Sequence, residues 1–263
     1  MSICGWSHKD PCIIVTIGDV EAVSNGPAHG YGLLSPIVGW EGGAPAFGGP
    51  VGYEHGDGRA RGDVHYSGRS LIVEGDIHAE DHEDLAEMTQ ALSSLGRYET
   101  LVVDESVHSG LVRQVVVSRL RPVQITTHGT TYATWTMHLE TIDWRRVDVD
   151  QQTVTVTAGG VACRNIGTAP ATLSLVLTGP LTNPGVSWPG GAWRYSGTVP
   201  SGTTLQVDME RRTVWDPAPV SGPSQHRNLA AGTWLLLPPG STALSRTGSG
   251  AGSITASWRS SWA

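Results

Sequence analysis

Hydrophobic and polar positions alternate along the second half of the chain with the period of a β-strand. In the clearest case Leu205, Val207 and Met209 are separated by polar residues and followed by Arg211 and Arg212. A strand with one buried and one solvated face has this alternation, and a second strand resumes after the two arginines, so the pattern predicts a hairpin. Similar short strands recur at regular spacing from residue 152 onward, which is typical of a β-sandwich.

One segment of the first half has the spacing of a helix, between about Glu80 and Leu95. Its apolar residues are Leu85, Met88, Leu92 and Leu95. Acidic residues crowd the start, where the positive end of the helix dipole favours them, and Gly96 stands where helices commonly end. The segment predicts an amphipathic helix whose acids serve helix electrostatics and solvation rather than a metal site.

Four further segments of the first half have strand patterns. They are Cys12–Val20, Gly68–Ile77, Leu111–Thr127 and Thr131–Trp144, the last two joined at Gly129. In the last segment one face carries only apolar residues: Ala133, Trp135, Met137 and Leu139. This alternation indicates an antiparallel sheet that is solvated, or faces a lumen, on one side. The stretch that follows, residues 143–152, is interpreted as a linker.

A long segment from Gly39 to Asp63 has no periodicity at all. A structureless loop of this length is unusual in a compact domain and often forms a functional arm or contacts another subunit; the alternative is a merely flexible loop. Glycine would allow close approach to a neighbour, and Trp40, Phe47 and Tyr53 could supply anchors. We therefore predict that this loop contributes to an interface between copies.

Composition and charge divide the chain near residue 150. Residues 1–150 carry 21 acidic and 10 basic residues, a net charge of −11, whereas residues 151–263 carry 3 and 7, a net charge of +4. This is not the basic surface of a protein that grips nucleic acid. The 34 glycines and 16 prolines favour short strands over long helices, and a single lysine and a single phenylalanine indicate a GC-rich bacterial or phage genome.

Residues that could carry catalysis are sparse. There is no GxSxG or HExxH motif, and the one lysine lies in no phosphate-binding loop. Cys4, His8 and Cys12 could contribute metal ligands but lack a fourth, so packed or surface residues are the favoured interpretation. Asp208 and Glu210 have the spacing of paired glycosidase carboxylates on one strand face, a test that any Asp-x-Glu strand passes.

The order of the segments resembles the distal tail proteins (Dit-like proteins) of long-tailed bacteriophages. In the first half the resemblance rests on "GRSLIVEGDI", the acidic-start helix, the two long strands and "LETIDWRR", with Trp144 where proline is common in the family. In the second half it rests on "CRNIGTAPATLSLVLTGPLTNPGV", "GTVPSGTTLQVDMERRTV" and "GTWLLLPPGSTALSRTGSGAGSITASWRSSW". Together these motifs cover most of residues 65–263.

The resemblance implies a mainly β fold in two domains. Residues 1–150 would form a ring-forming, tail-tube-like β-sandwich domain with one α-helix, and residues 151–263 a galectin-like β-sandwich domain. No catalytic residue, cofactor or metal carries over from the family, and the stretch from Asp208 to Arg212 is implied to be a hairpin end. We expect a structural, non-enzymatic protein.

The resemblance also implies a location and partners. The protein would lie at the virion tail tip after assembly in the cytoplasm of the host bacterium, as a homohexameric ring that joins the tail tube to the host-facing hub or baseplate. Its partners would be the tail tube protein, the tape measure protein, and the tail hub, tail-associated lysin or receptor-binding proteins. DNA would only pass through the lumen, for which an acidic or neutral lining is favoured over a basic one.

Two other functions remain open at the level of sequence. A carbohydrate-binding module could use Trp188 and Trp193, which flank a predicted loop, to stack on sugar rings; Trp234 and Trp258 lie inside strand patterns and are predicted to be core. A glycoside hydrolase acting on cell wall would need Asp208 and Glu210 as its carboxylate pair, and is the weakest of the three readings.

Overall fold

The chain divides into two compact units, residues 1–149 with residue 263, and residues 150–262. The structure is a computed structural model, and it describes residues 13–24, 27–41, 46–48, 51–52, 59–60, 64–216 and 229–263. We refer to the two parts as the N-terminal unit and the C-terminal unit. The roles that the sequence assigns to them remain predictions.

The N-terminal unit is built from strands and two helices. In chain order these are β1 (Ile14–Ile17), β2 (Val20–Ser24), β3 (Gly30–Leu33), β4 (Ala46–Gly48), β5 (Val51–Gly52), β6 (Arg59–Ala60), β7 (Val64–Tyr66), β8 (Ser70–His78), α1 (His82–Ser94), β9 (Tyr98–Glu105), α2 (Ser106–Ser109), β10 (Leu111–Arg119), β11 (Gln124–Thr127), β12 (Tyr132–Thr141) and β13 (Arg146–Asp148).

Seven of these strands form a sheet that closes on itself. The order is β12-β8-β3-β2-β1-β9-β10, and the ladder between β10 and β12 completes the circle. Closure is possible because β12 pairs at its start with β11 and at its end with β10 along the same edge. The predicted β-sandwich of this unit is therefore corrected to a barrel-like sheet. Small barrels of this kind are filled by their own side chains.

The core of the N-terminal unit follows from the alternation in β8 and β12. Ala133, Trp135, Met137 and Leu139 are all buried, as predicted. Trp135 faces Gly75 across the ladder, and a Cβ atom at Gly75 would lie 2.3 Å from the indole ring. Glycine at that position therefore makes room for the tryptophan, whose Nε1 donates to the carbonyl oxygen of Asp76 at 3.1 Å.

Helix α1 confirms the helix predicted from the apolar spacing. Asp81 caps its start by accepting from the backbone N of Asp84 at 2.9 Å, and Asp84 accepts in turn from the backbone N of Glu80 at 2.8 Å. Leu85 and Leu92 are buried in the core of the unit. The acids at the helix start thus satisfy backbone donors, as the helix electrostatics require.

The segment predicted to be structureless contains paired strands. β4 pairs antiparallel with β7, and β5 pairs antiparallel with β6. We call residues 46–66 the arm. Strands of two or three residues are too short for a two-residue period to be visible in the sequence.

Three other predictions for this unit need correction. The predicted strand Cys12–Val20, of which Cys12 lies outside the described residues, is interrupted by a turn at Gly18 and Asp19 between β1 and β2. The predicted strand Leu111–Thr127 is broken around Pro122 into β10 and β11. The predicted linker after Asp143 contains β13, which pairs with β10.

The C-terminal unit contains only strands among its described residues. In chain order these are β14 (Gln152–Thr155), β15 (Val161–Asn165), β16 (Ala171–Thr178), β17 (Leu181–Trp188), β18 (Gly191–Tyr195), β19 (Thr198–Val199), β20 (Thr204–Asp208), β21 (Thr213–Trp215), β22 (Leu229–Gly232), β23 (Leu236–Leu237), β24 (Gly240–Ser249), β25 (Ser253–Trp258) and β26 (Ser261–Trp262).

Two antiparallel sheets make up this unit. One has the order β14-β25-β16-β20-β21 with β23 beside β16, and the other has the order β15-β24-β17-β18-β22 with β19 beside β17. Alternate residues of both sheets meet in one hydrophobic core that includes Leu175, Val186 and Trp193. The recurrent short strands predicted after residue 152 are thus present.

Candidate functional site

The three residues predicted to anchor an interface are placed very differently. Trp40 is only 3% exposed and belongs to the core of the N-terminal unit, so its ring cannot serve as an anchor on a neighbouring copy. The backbone of Phe47 lies in β4 of the arm. Tyr53 lies outside the described residues. The prediction that Trp40 anchors an interface is therefore wrong, because its side chain packs into the core of its own unit.

Three buried arginines surround Trp40, and we call Arg69, Arg113 and Arg146 the arginine cluster. The guanidinium carbons of Arg113 and Arg146 lie 5.5 and 5.4 Å from the centre of the Trp40 ring. Arg69 and Arg146 donate to the carbonyl oxygen of Trp40 at 3.4 and 2.5 Å. The cluster therefore holds the chain where it enters the arm, and Arg69 lies where the chain leaves it.

Two carboxylates partner the arginine cluster. Glu41 accepts from Arg113 at 2.6 Å and lies 3.5 Å from Arg146, and Glu105 forms an ion pair with Arg113. Arg69 donates through Nε to the carbonyl oxygen of Trp144 at 3.1 Å, and Arg146 donates to an oxygen of the terminal carboxylate of Ala263. These contacts come from both sides of the arm and from β10 and β13.

Burial dominates the electrostatics of the arginine cluster. Burial and the neighbouring charges of Arg113 and Arg69 lower the pKa of Arg146 to about 10, and burial with the charge of Arg113 lowers the pKa of Arg69. Arg146 therefore stays protonated at neutral pH, although the burial of its charge is unfavourable for the folded unit. Sequence reasoning missed the cluster, because its members are up to 77 positions apart and each resembles an ordinary surface arginine.

Arg145, the neighbour of the cluster residue Arg146, lies in the corner that follows β12. Asp143 accepts from the backbone N of Arg145 at 2.9 Å, and its carboxylate also receives Nε and Nη2 of the same side chain at 3.1 and 2.7 Å. A bidentate pair of this kind fixes geometry as well as charge. Trp144 is thus accommodated in a corner closed by Asp143 and Arg145.

Exposed apolar side chains gather on the outside of the N-terminal sheet, around the end of β10. We call Tyr98, Val116, Leu120 and Ile142 the outer patch; they are 59%, 49%, 55% and 58% exposed. Tyr98 pairs with Ser118, which lies two positions after Val116 on the same face of β10. The backbone N of Ile142 donates to the carbonyl oxygen of Val116. Contiguous apolar side chains of this kind mark surfaces that other proteins cover.

The tryptophans predicted to stack on sugars do not form an exposed pair. Trp193 is fully buried in the C-terminal core, with its ring centre 6.2 Å from that of Trp234. Trp188 is half-buried and packs against the same core, and the predicted loop between them is a tight turn at Gly190. The prediction that Trp193 is exposed is wrong, because β18 points its ring inward.

Asp208 and Glu210 lie at the end of a hairpin and not on one strand face. β20 ends at Asp208, whose Oδ1 accepts from the backbone N of Glu210 and of Arg211, each at 2.9 Å. Glu210 accepts from the hydroxyl of Thr172 at 2.5 Å, and Arg212 has a left-handed φ of 56°. Asp208 therefore stabilises a turn, which is the reading implied by the family resemblance.

Metal sites and membrane spans can be judged for the described residues alone. Within them, no group of three or more His, Cys, Asp or Glu side chains could hold a metal ion. Cys4, His8 and Cys12 lie outside that part of the chain. Neither of the helices that the structure describes has the length and apolar character needed to cross a membrane.

The fold has a counterpart among solved structures, in a Dit protein of a bacteriophage. The resemblance predicted from the motifs is thereby confirmed at the level of fold. The chain is similar to SPP1 Dit (gp 19.1), described as a paradigm of the hub adsorption apparatus in phages that infect Gram-positive bacteria. The TM-score is 0.67 at 13% identity, over 95% of this chain and 99% of that one.

More distant similarities were also found. Two structures of the phage P2 baseplate in its activated conformation, with Ca and with Sr, match with TM-scores of 0.47 at 8% and 9% identity, over 94% of this chain and 97% of those chains. No protein-family model matches the sequence, and no curated protein matches it either.

Proposed function

We propose that this chain is a structural protein of a phage tail tip, without enzymatic activity, that forms a hexameric ring between the tail tube and the host-facing hub. The observation that carries the proposal is the shared fold with SPP1 Dit over nearly the full length of both chains. A tail-tube-like role of the N-terminal unit and a galectin-like role of the C-terminal unit belong to the same proposal.

The filled interior of the seven-strand sheet supports a ring. Among the described residues, side chains such as Leu71, Val73 and Met137, each about 1% exposed, belong to the core of the unit and fill the interior of the sheet. DNA could therefore pass only through a lumen enclosed by several copies. The net charge of −11 on residues 1–150 suits such a lumen, because phosphates would slide past it rather than bind.

The outer patch and the arm supply surfaces for the contact between neighbours. A closed ring of identical subunits needs two different surfaces, one for each neighbour, and a durable interface buries more than ~1,000 Å². The outer patch offers apolar area, and the arm contains two short ladders of strands paired with each other. The tail tube protein, the tape measure protein and the hub or receptor-binding proteins would contact the ring.

Imaging and light scattering test this function directly. Purified protein at micromolar concentration is expected to elute with six times the mass of the chain and to form rings with a central hole. Replacing residues 49–63 by a short turn should weaken the ring while circular dichroism shows a folded subunit. A wild-type protein that remains monomeric at all accessible concentrations would contradict the proposal.

A further inference from the structure

The two sheets of the C-terminal unit differ in the residues that they turn away from the core. Paired residues of neighbouring strands lie on the same face of a sheet, so the ladders define each outer face. On the sheet that contains β16 the outer residues form three rows across the strands: Thr153, Ser257, Ser174, Asp208 and Thr213; Thr155, Thr255, Val176, Gln206 and Trp215; and Ser253, Thr178 and Thr204. We call these residues the hydroxyl face.

Serine and threonine make up most of the hydroxyl face. Nine of its 13 residues carry a side-chain hydroxyl, none of the 13 is buried, and the one charged side chain among them is Asp208. That carboxylate is already engaged, because it accepts from two backbone N–H groups of its own turn and lies 3.8 Å from Nε of Arg211. The hydroxyl face is therefore close to neutral.

The outer face of the other sheet has a different composition. Its paired positions include two arginines and three alanines, all of them exposed: Arg164, Arg194, Ala162, Ala192 and Ala243. Both sheets cover the same hydrophobic core. A sheet of this unit can thus be solvated with charged side chains, so contact with solvent alone does not account for the nine hydroxyl groups on the hydroxyl face.

The composition of the hydroxyl face restricts the chemistry of a ligand. Nucleic acids and other polyanions are bound by basic side chains, and none of the residues of this face is basic. Protein interfaces are enriched in aromatic residues, methionine and arginine, and depleted in serine. A serine or threonine hydroxyl donates one hydrogen bond and accepts two, which matches a ligand that itself consists of hydroxyl groups. A neutral carbohydrate has that chemistry.

Trp215 adds an aromatic ring to one end of the middle row. It is 37% exposed, which makes it the most exposed tryptophan in the described part of the chain. Trp215 pairs with Gln206, and Val176 and Thr255 continue the row to Thr155 on β14. A row across five strands covers four strand spacings, roughly 19 Å. The row therefore offers a ring for stacking and, in line with it, polar groups for an extended chain of sugars.

We propose that the hydroxyl face binds a neutral hexose oligosaccharide along the row from Trp215 to Thr155. The indole ring stacks on the C–H face of one sugar, because a tryptophan presents an apolar ring together with a polar tip. The amide of Gln206 and the hydroxyls of Thr255 and Thr155 form hydrogen bonds with hydroxyl groups of the following sugars. Val176 contacts ring carbons in the middle of the row. This binding site does not depend on the proposed ring of subunits.

Calorimetric titration of the full-length protein with maltohexaose, cellohexaose and mannohexaose tests the proposal. At least one of these neutral oligomers should bind at millimolar concentration or below, and more tightly than polygalacturonate, an acidic polymer. Trp215→Ala should weaken that binding by about tenfold or more, because the stacking surface is lost. No binding of any of the three oligomers, or tighter binding of polygalacturonate, would overturn the proposal.

A matched pair of lysine substitutions compares the two outer faces. Thr255→Lys and Ala243→Lys add the same charge and the same long side chain at positions that point away from the core. Thr255→Lys should weaken oligosaccharide binding by about tenfold or more, because the lysine covers the middle row, whereas Ala243→Lys should leave it unchanged. Equal effects of the two substitutions would place the ligand elsewhere and overturn the site.

Thermal unfolding checks that both lysine variants are folded. If Thr255→Lys is not, Thr155→Lys at the exposed end of the same row replaces it, with the same expected loss of binding. Light scattering on the same samples keeps this proposal separate from the ring. A wild type that forms rings but binds none of the oligomers would overturn the oligosaccharide site alone, and a monomeric wild type that binds one of them would overturn the ring alone.

Discussion

The two units differ in how completely they satisfy their buried polar groups. In the C-terminal unit the buried amide of Asn165 makes four hydrogen bonds: Nδ2 donates to the carbonyl oxygens of Ala169 and Leu237, and Oδ1 accepts from the backbone N of Gly167 and Ser261. In the N-terminal unit the arginine cluster retains unpaired donors. Among the described residues, the C-terminal unit leaves only the indole N–H of Trp193 in that state.

Exposed apolar side chains show the same difference. Of the large apolar residues that are exposed in the described chain, seven belong to the N-terminal unit and three, Ile166, Trp215 and Leu236, to the C-terminal unit. Unpaired buried donors and uncovered apolar area both decrease when a partner binds. Among the described residues, the N-terminal unit thus leaves more apolar area and more buried donors for a partner to cover than the C-terminal unit does.

A matched pair of isoleucine substitutions tests whether the contact between copies is formed by the N-terminal unit and not by the C-terminal unit. Ile142→Glu should abolish ring formation at micromolar concentration, because it places a charge in the outer patch, whereas Ile166→Glu should leave assembly unchanged. The two side chains are 58% and 53% exposed, so neither substitution should unfold the chain. Light scattering on both variants gives the answer. Equal effects of the two would mean that the outer patch is not the interface.

Asn165 satisfies four buried backbone groups of the C-terminal unit. Asn165→Ala should cost about 4 kcal/mol in the free energy of unfolding, since two buried carbonyl and two buried N–H groups lose their partner. Asn183→Gly is the control: that side chain accepts one exposed hydrogen bond, and its φ of 47° suits glycine. Chemical denaturation measures both. A loss of less than about 1 kcal/mol for Asn165→Ala would show that water replaces the amide.

Within the N-terminal unit, helix α1 should behave as an ordinary core element. Leu92→Ala is expected to cost about 3 kcal/mol, because the side chain is fully buried and its removal leaves a cavity. Leu120→Ala, at a position that is 55% exposed, should change the stability by less than about 0.5 kcal/mol. Urea unfolding of both variants compares the sites. A loss below about 0.5 kcal/mol at Leu92 would show that the buried face of the helix is misassigned.

Substitutions at Asp208 and Glu210, at the end of the hairpin, should have the least effect on stability. Replacing Asp208 by Asn and Glu210 by Gln keeps an acceptor oxygen at each site, so we expect a loss of about 1 kcal/mol or less and no change in any activity of the particle. Differential scanning calorimetry measures the first, and a cell-wall hydrolysis assay with purified protein tests the second. Hydrolysis by the wild type that disappears in this variant would contradict a purely structural role.

Sequence reasoning succeeded where the pattern is local. Helix α1 and the buried face of β12 follow from apolar spacing in a single segment. Strand β9 was missed because its apolar run is only Leu101, Val102 and Val103 between polar residues, too short to rise above its surroundings. The break between β10 and β11 depends on Pro122, which strand patterning alone does not weigh.

The remaining features depend on contacts between distant segments. Closure of the sheet is set by pairing Val117 with Thr141, which no periodicity records. The arginine cluster depends on Trp40, Arg69, Arg113 and Arg146 meeting in space. The adjacent pair Arg145-Arg146 is a weak signal for a buried arginine at this corner, and the structure buries both side chains.

The closed sheet of the N-terminal unit also determines when each unit can fold during translation. Ile14 pairs with Asp104, 90 residues further along, and the ring of strands is complete only when β12 has formed. Pairings of such high contact order make folding slow. The C-terminal unit in turn must wait for Trp258, the partner of Gln152. The strands of the closed sheet are therefore all synthesised before β25, so the sheet of the N-terminal unit can close while the sheets of the C-terminal unit are still incomplete.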